Sequence, residues 1–159
     1  MRLTGQDCWT ALRAADHGVL CTSNPKSAEL TIDAVPVCFA VVSDLIAAPI
    51  DRVKPKRTTE LGRLRNLDHD PSATLLCEHW DRHDWSQLWW VRASLVRLSS
   101  GDVSPSLLAE CDVALRGKYA QYRDTEFATI LVFEVKSLVG WSGADRSGRD
   151  EEHRAEEEG

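Results

Sequence analysis

The stretch that decides the fold is "LTIDAVPVCFAVVSDLIAAPI", residues 30–50. It is rich in β-branched and other apolar residues, and it predicts two strands joined at Ser43 and Asp44. Pro36 lies inside the first strand and has no backbone N–H to donate to a neighbour. Its position favours an edge strand, a bulge, or a site where something other than a strand faces the backbone.

Three helices are predicted around this stretch. Apolar spacing indicates one over residues 4–16 and another with Leu61, Leu64 and Leu67 on one side. The third begins after Ser104 as N-cap, with Pro105 in its first turn. One face of this third helix is expected to carry its apolar residues, Leu108, Cys111, Leu115, Tyr119 and Tyr122.

Four further strands are predicted, at residues 19–23, 73–80, 88–100 and 128–141. The order of elements leaves little room for right-handed parallel crossovers. We therefore expect a mainly β, α+β fold. Its six-stranded antiparallel sheet would close into a small barrel with helices at its ends.

Length and composition fit a single domain. The chain has 159 residues, 43% of them hydrophobic, and no apolar run of the length that a membrane span needs. Its first residues include Gln and Asp where a signal peptide would be apolar, so a soluble, cytoplasmic protein is expected. Residues 1–145 are expected to form the domain, and the acidic residues 146–159 a disordered tail.

The five cysteines are odd in number and widely spaced, with no Cys-x-x-Cys pair. This pattern predicts small buried hydrophobes rather than a disulfide framework or a zinc finger. Cys77, His79 and His83 approach the spacing of metal ligands, but no fourth ligand accompanies them. We therefore predict no metal site.

Positive charge is concentrated in one place. The net charge is -6, yet residues 51–67, "DRVKPKRTTELGRLRNL", hold six of the 19 Lys and Arg residues. A single basic cluster on an acidic chain argues against nucleic-acid binding and suits a small anion. Lysines and threonines before a helix are typical of a phosphate-binding site, because backbone N–H groups, hydroxyls and cations converge there. The alternative interpretation is a solvated helix face.

Tryptophans are the second concentration, in "WDRHDWSQLWW", residues 80–90. Adjacent residues of a strand point to opposite faces, so Trp89 and Trp90 cannot both fill one core. One of them is expected to meet an interface or a planar ligand. Ordinary packing of both against helices is the alternative.

Four segments together resemble one family: "KPKRTTELGRLRNL", the following "DP", "DWSQLWWVRA" and "LVGWSGA". They are similar to the actinobacterial deazaflavin-dependent branch of the split β-barrel superfamily, which includes pyridoxamine 5'-phosphate oxidase and other FMN-binding proteins. The likeness covers about residues 5–145. It departs from the family at residues 24–27, where Asn-Pro-Lys-Ser replaces a turn that commonly contains glycine.

The resemblance implies a homodimer with a cofactor site in each groove between subunits. The implied phosphate-binding residues are Lys54, Lys56, Arg57, Thr58 and Thr59. The implied ring contacts are Val35, Pro36 and Val37, with Ala47, Ala48 and Pro49 on a neighbouring strand. Trp89, Trp90 or Trp141 would reach the ring or the substrate from across the dimer interface.

The function that this resemblance implies is that of a coenzyme F420-dependent oxidoreductase, which passes a hydride between the deazaflavin and a small organic substrate. Such a cofactor carries the chemistry itself, so no catalytic acid or base is predicted. Two alternatives remain open: an FMN-dependent oxidase or reductase on the same barrel, and a flavin- or deazaflavin-binding protein without turnover.

Overall fold

The computed structural model describes residues 1–26, 32–51 and 62–144. These residues form three α-helices: α1 (Gly5–Ala14), α2 (Gly62–His69) and α3 (Pro105–Lys118). They also form seven strands: β1 (Gly18–Ser23), β2 (Ile32–Val37), β3 (Ala40–Val42), β4 (Leu45–Asp51), β5 (Ser72–His79), β6 (Trp89–Arg97) and β7 (Phe127–Ser142). Short 3-10 turns lie at Trp85–Gln87 and Ala120–Tyr122.

The strands form one sheet in the order β2-β1-β5-β6-β7-β4-β3. Every described strand pair is antiparallel. The predicted antiparallel α+β architecture is therefore confirmed. The count of six strands is not, because the described residues form seven.

The additional strand arises where the predicted strand over residues 30–42 divides into β2 and β3. Between them, the backbone N–H of Phe39 donates to the Tyr119 hydroxyl at 3.0 Å. The same hydroxyl lies 2.8 Å from the Phe39 carbonyl oxygen, to which it donates. A side chain thus replaces the ladder partners of Phe39, and the chain leaves β1 for a new pairing with β4.

Local signals place the starts of α1 and α3 well. The Thr4 hydroxyl caps α1 and shares a reciprocal capping box with Asp7. The Ser104 hydroxyl accepts from the Leu107 N–H at 3.2 Å and Pro105 opens α3, as predicted. The predicted apolar face of α3 is only partly right, because Leu108 is 38% exposed.

Two apolar clusters form the core. The larger one fills the curve of the sheet and includes Leu12, Leu20, Phe39, Ile46, Leu75, Val91, Leu95 and Phe133. In the smaller one, α3 packs on the other face of β3, β4 and β7 through Ala40, Ala47, Cys111, Leu115 and Val132. Cys8, Cys77 and Cys111 are buried as predicted, whereas Cys21 and Cys38 are half-buried.

No helix in the described part of the chain has both the length and the apolar character needed to cross a bilayer. The predicted tail, residues 146–159, lies outside the described residues. The proposed domain boundary at residue 145 therefore stays a prediction.

Candidate functional site

A cavity of about 370 Å³ lies between β2 and the start of α2. Its lining residues are Thr22, Asp33, Ala34, Val35, Pro36, Gly62 and Arg63. The cavity forms here because β2 stands at one end of the sheet order, so one of its long sides has no strand partner in the described residues. Of the three explanations that the sequence left open for Pro36, the edge position is therefore the one that the described strands show.

A polar network braces the wall of this cavity. The Asn66 side-chain amide donates to the Thr22 hydroxyl at 3.1 Å and to the Asp33 carboxylate at 2.8 Å. Asn24 donates to both oxygens of the same carboxylate at 3.1 Å. Asn66 is fully buried and Thr22 nearly so, at 0% and 3% exposure. One amide on α2 therefore ties that helix to both β1 and β2.

The network favours the ionised form of Asp33. Hydrogen bonds from Asn66 and then Asn24 hold the pKa of this carboxyl below its usual range, and the positive charge of Arg65 acts in the same direction. The cavity therefore presents a carboxylate on its β2 wall and a basic residue, Arg63, at its α2 end. This arrangement suits a ligand that offers a hydrogen-bond donor to the carboxylate and an anionic group to the basic residue.

Two buried polar atoms beside the network lack a hydrogen-bond partner among the described residues. They are Oδ1 of Asn66 and Nε of Arg65. An unsatisfied buried acceptor costs stability. The amide nitrogen of Asn66, in contrast to its oxygen, is fully hydrogen-bonded, because it donates to Thr22 and to Asp33.

A second concavity, of about 510 Å³, lies between α3 and the start of β7. Its lining includes Arg116, whose guanidinium forms an ion pair with Asp112 at 2.7 Å. The same guanidinium donates to the carbonyl oxygens of Tyr122, Arg123 and Thr125. These bonds tie α3 to the loop before β7, so we assign Arg116 a structural role.

The implied ring contacts divide between the cavity and the core. Val35 is half-buried, Pro36 is exposed, and both line the cavity. Val37 is buried in the larger core cluster. Contact of these residues with a cofactor ring stays a prediction.

The phosphate-binding residues implied by the resemblance lie outside the described residues: Lys54, Lys56, Arg57, Thr58 and Thr59. The first described residues after them are Gly62 and Arg63, and both line the cavity.

The expectation that residues 47–50 lie on a strand next to β2 is wrong. Ala47, Ala48 and Pro49 belong to β4, which pairs with β3 and β7. Ala47 packs under α3, whereas Ala48 belongs to the larger core cluster. None of these three residues lines the cavity as the described residues form it. Closeness in sequence suggested that the two strands are neighbours. The chain instead leaves β2 at residues 38–39, before β4 begins.

The two adjacent tryptophans point to opposite faces of β6, as predicted. Trp89 packs against the larger core cluster and stacks on His79, with ring centroids 6.5 Å apart. Trp90 is half-buried and lies opposite Trp141 on β7. No tryptophan of the described chain lines the cavity, and contact of Trp89, Trp90 or Trp141 with a ligand stays a prediction.

The described residues contain no group of three or more His, Cys, Asp or Glu side chains arranged to hold a metal ion. Cys77 is buried, whereas His79 and His83 are exposed.

Sequence reasoning missed the polar network. Asp33 carried a usable signal, because it is a carboxylate in an apolar strand and shares a side with Val35 and Val37. Asn66 carried none. Its partners, Thr22 and Asp33, are 44 and 33 residues away in sequence.

Comparison with known proteins gives the fold. No family model and no curated protein matches the chain. A FAD-binding protein from Mesorhizobium loti is similar in structure, with a TM-score of 0.59 and 13% identity over 88% of this chain and 93% of that one. A FAD-binding protein from Mycobacterium smegmatis has a TM-score of 0.57 and 14% identity over 89% of this chain and 96% of that one. A conserved hypothetical protein from Mycobacterium tuberculosis has a TM-score of 0.65 and 14% identity over 89% of this chain and 86% of that one. The chain therefore has the α+β split-barrel fold that these proteins share.

Proposed function

We propose that this protein is an oxidoreductase that binds coenzyme F420 and transfers a hydride between the deazaflavin and a small organic substrate. The observation that supports it most is the cavity on the free side of β2, with a carboxylate-bearing wall and a basic end that follows the Lys- and Arg-rich residues 52–61. A cofactor whose ring donates an N–H and whose chain is anionic matches that arrangement. Similar solved structures that bear the name FAD-binding protein support a flavin-type ligand.

The preference for coenzyme F420 over FMN rests on the extent of the basic segment. FMN ends in one phosphate, whereas coenzyme F420 continues into a lactyl and glutamyl chain with several carboxylates. Its longer anionic chain matches positive charge spread along the sequence at Arg52, Lys54, Lys56, Arg57 and Arg63. An FMN-dependent oxidase or reductase, resembling pyridoxamine 5'-phosphate oxidase, is the alternative on the same fold.

When bound, the cofactor supplies the hydride chemistry. The protein therefore has to bind the cofactor, orient the substrate and exclude water from the site. Val35 and Pro36 offer apolar surface to a ring, and Asp33 offers a fixed acceptor. Lys54, Lys56, Arg57, Thr58 and Thr59 would hold the phosphate.

We further propose a homodimer in which the second subunit closes this site. The outer face of β2, β1 and β5 exposes large apolar side chains, with Ile32 at 57% and Leu76 at 37% exposure. Register places them on one face, since Ile32 pairs with Ser23 and Leu76 with Val19. Apolar faces of this kind are typical of obligate dimers. A tryptophan of the second subunit would complete the wall.

Competitive titration of the apo-protein with coenzyme F420 and FMN at two salt concentrations tests the cofactor. Coenzyme F420 should bind more tightly and show the steeper salt dependence, because more charges are involved. FMN binding at least as tightly would favour the FMN-dependent alternative. Single-turnover oxidation of bound, reduced coenzyme F420 by small organic acceptors then separates an enzyme from a binding protein. Rates equal to those of free cofactor would identify a binding protein.

A further inference from the structure

The cavity wall holds a hydrogen-bond donor next to an acceptor. Asn66 uses both hydrogens of its amide, one on the Thr22 hydroxyl oxygen and one on the Asp33 carboxylate. Its orientation follows from the partners, because the reverse orientation would set the amide oxygen against an ionised carboxylate. Asn66 is fully buried, so water does not compete for these bonds.

Each wall group keeps unused hydrogen-bonding capacity. The Thr22 oxygen accepts from Asn66, so its own O–H hydrogen is available, and no described residue accepts it. The Asp33 carboxylate accepts from Asn66 and Asn24 and still has lone pairs to offer. Both side chains line the cavity. A ligand there meets an O–H donor beside a negatively charged acceptor.

We propose that Thr22 and Asp33 bind the imide edge of the cofactor ring, with Asn66 as their positioning residue. Asp33 accepts the ring N–H, and the Thr22 hydroxyl donates to an adjacent ring carbonyl oxygen. This assignment rests on the proposed function, since flavins and deazaflavins carry the same C=O, N–H, C=O edge.

The charge of Asp33 also sets the direction of the ligand. A phosphate or carboxylate placed against this carboxylate would be repelled, whereas a neutral imide is not. The anionic chain of the cofactor therefore points away from Asp33, and Gly62 and Arg63 at the start of α2 supply the basic part of the lining. Val35 and Pro36 supply the apolar lining against which the ring would rest.

The test uses the 8-hydroxy-5-deazaflavin ring with its polyol chain, and the same compound methylated at the imide nitrogen. Methylation removes the hydrogen that Asp33 would accept. Wild-type protein should bind the methylated compound about 10- to 100-fold more weakly, the range for one hydrogen bond to a charged group. Asp33→Ala should bind the unmethylated compound more weakly and discriminate between the two by less than about threefold.

Two variants keep the result interpretable. Asp70→Ala removes a carboxylate that is also hydrogen-bonded, to Ser23 and Ser72, but does not line the cavity, so full discrimination should remain. Asp33→Asn is the substitute if Asp33→Ala does not fold, and it should reduce discrimination because its neutral oxygen accepts more weakly.

Undiminished discrimination in both Asp33 variants would overturn the inference while leaving the proposed function standing. A second comparison uses a ring compound that lacks the polyol chain. The affinity lost on removing the polyol measures the contribution of its hydroxyls. If Asp33→Ala changes that loss but not the loss caused by imide methylation, the imide assignment is wrong. Wild-type protein that binds neither ring compound nor coenzyme F420 contradicts the proposed function itself.

Discussion

Replacing Tyr119 by Phe removes one oxygen atom and tests the junction between β2 and β3. The Tyr119 hydroxyl accepts from the Phe39 N–H at 3.0 Å and lies 2.8 Å from the carbonyl oxygens of Phe39 and Asp16. Phe39 is 0% exposed, so its N–H and C=O cannot regain water in the folded state. Each buried group left without a partner costs about 1–3 kcal/mol.

For the two groups of Phe39, we expect Tyr119→Phe to lower the free energy of unfolding by about 3 kcal/mol. For a chain of this length, that corresponds to a fall in Tm of roughly 6–12 °C in calorimetry. Tyr122→Phe is the matched control, because it removes the other tyrosine hydroxyl, which makes none of these three bonds. A Tm within about 2 °C of wild type for Tyr119→Phe would refute the reasoning.

We also expect Tyr119 to make the free energy of unfolding depend on pH in the alkaline range. Burial raises the pKa of Tyr119 from 10.0 to about 12, so the folded state disfavours the ionised form. Its contribution to stability is complete below pH 10 and is lost as the pH rises towards 12, because the unfolded chain ionises first. Wild-type protein should therefore lose more stability than Tyr119→Phe over this interval in urea unfolding. Equal losses would show that another group is responsible.

Three further predictions concern the site, the assembly and the thiols. Lys54→Ala and Lys56→Ala should each weaken coenzyme F420 binding by about one to two decades, through the loss of a charge-assisted contact, with Tm unchanged; titration curves matching those of Arg123→Ala, an exposed basic residue outside the cavity, would assign the lysines to solvated surface. Light scattering at micromolar concentration should give a dimer, and a monomer that still holds cofactor would rule out the shared site. Burial raises the pKa of the Cys77 thiol to about 12, so iodoacetamide at pH 8 should leave it unmodified in folded protein and label it in urea, as read by mass spectrometry; rapid labelling in the folded state would contradict this burial.

Much of the fold follows from local signals in the sequence. Ser104 and Pro105 start α3 because a capping hydroxyl and a fixed φ act within one turn. The strands around residues 72–79 and 89–97 follow from short runs of apolar residues between turns. The missing N–H of Pro36 limited its strand to an edge, a bulge or a site without a strand neighbour, and the edge is what the sheet order shows. Each of these features depends on atoms only a few residues apart.

The tertiary structure decided what depends on distant partners. The division of residues 32–42 into β2 and β3 comes from Tyr119, 80 residues from Phe39. The separation of β4 from β2 comes from the pairing of β4 with β7. Thr22 and Asp33 stand next to each other in the cavity wall because Asn66 binds both at once. Hydropathy and spacing determine which segments become strands and helices, but the hydrogen bonds of a single buried side chain choose among pairings that the local sequence allows equally.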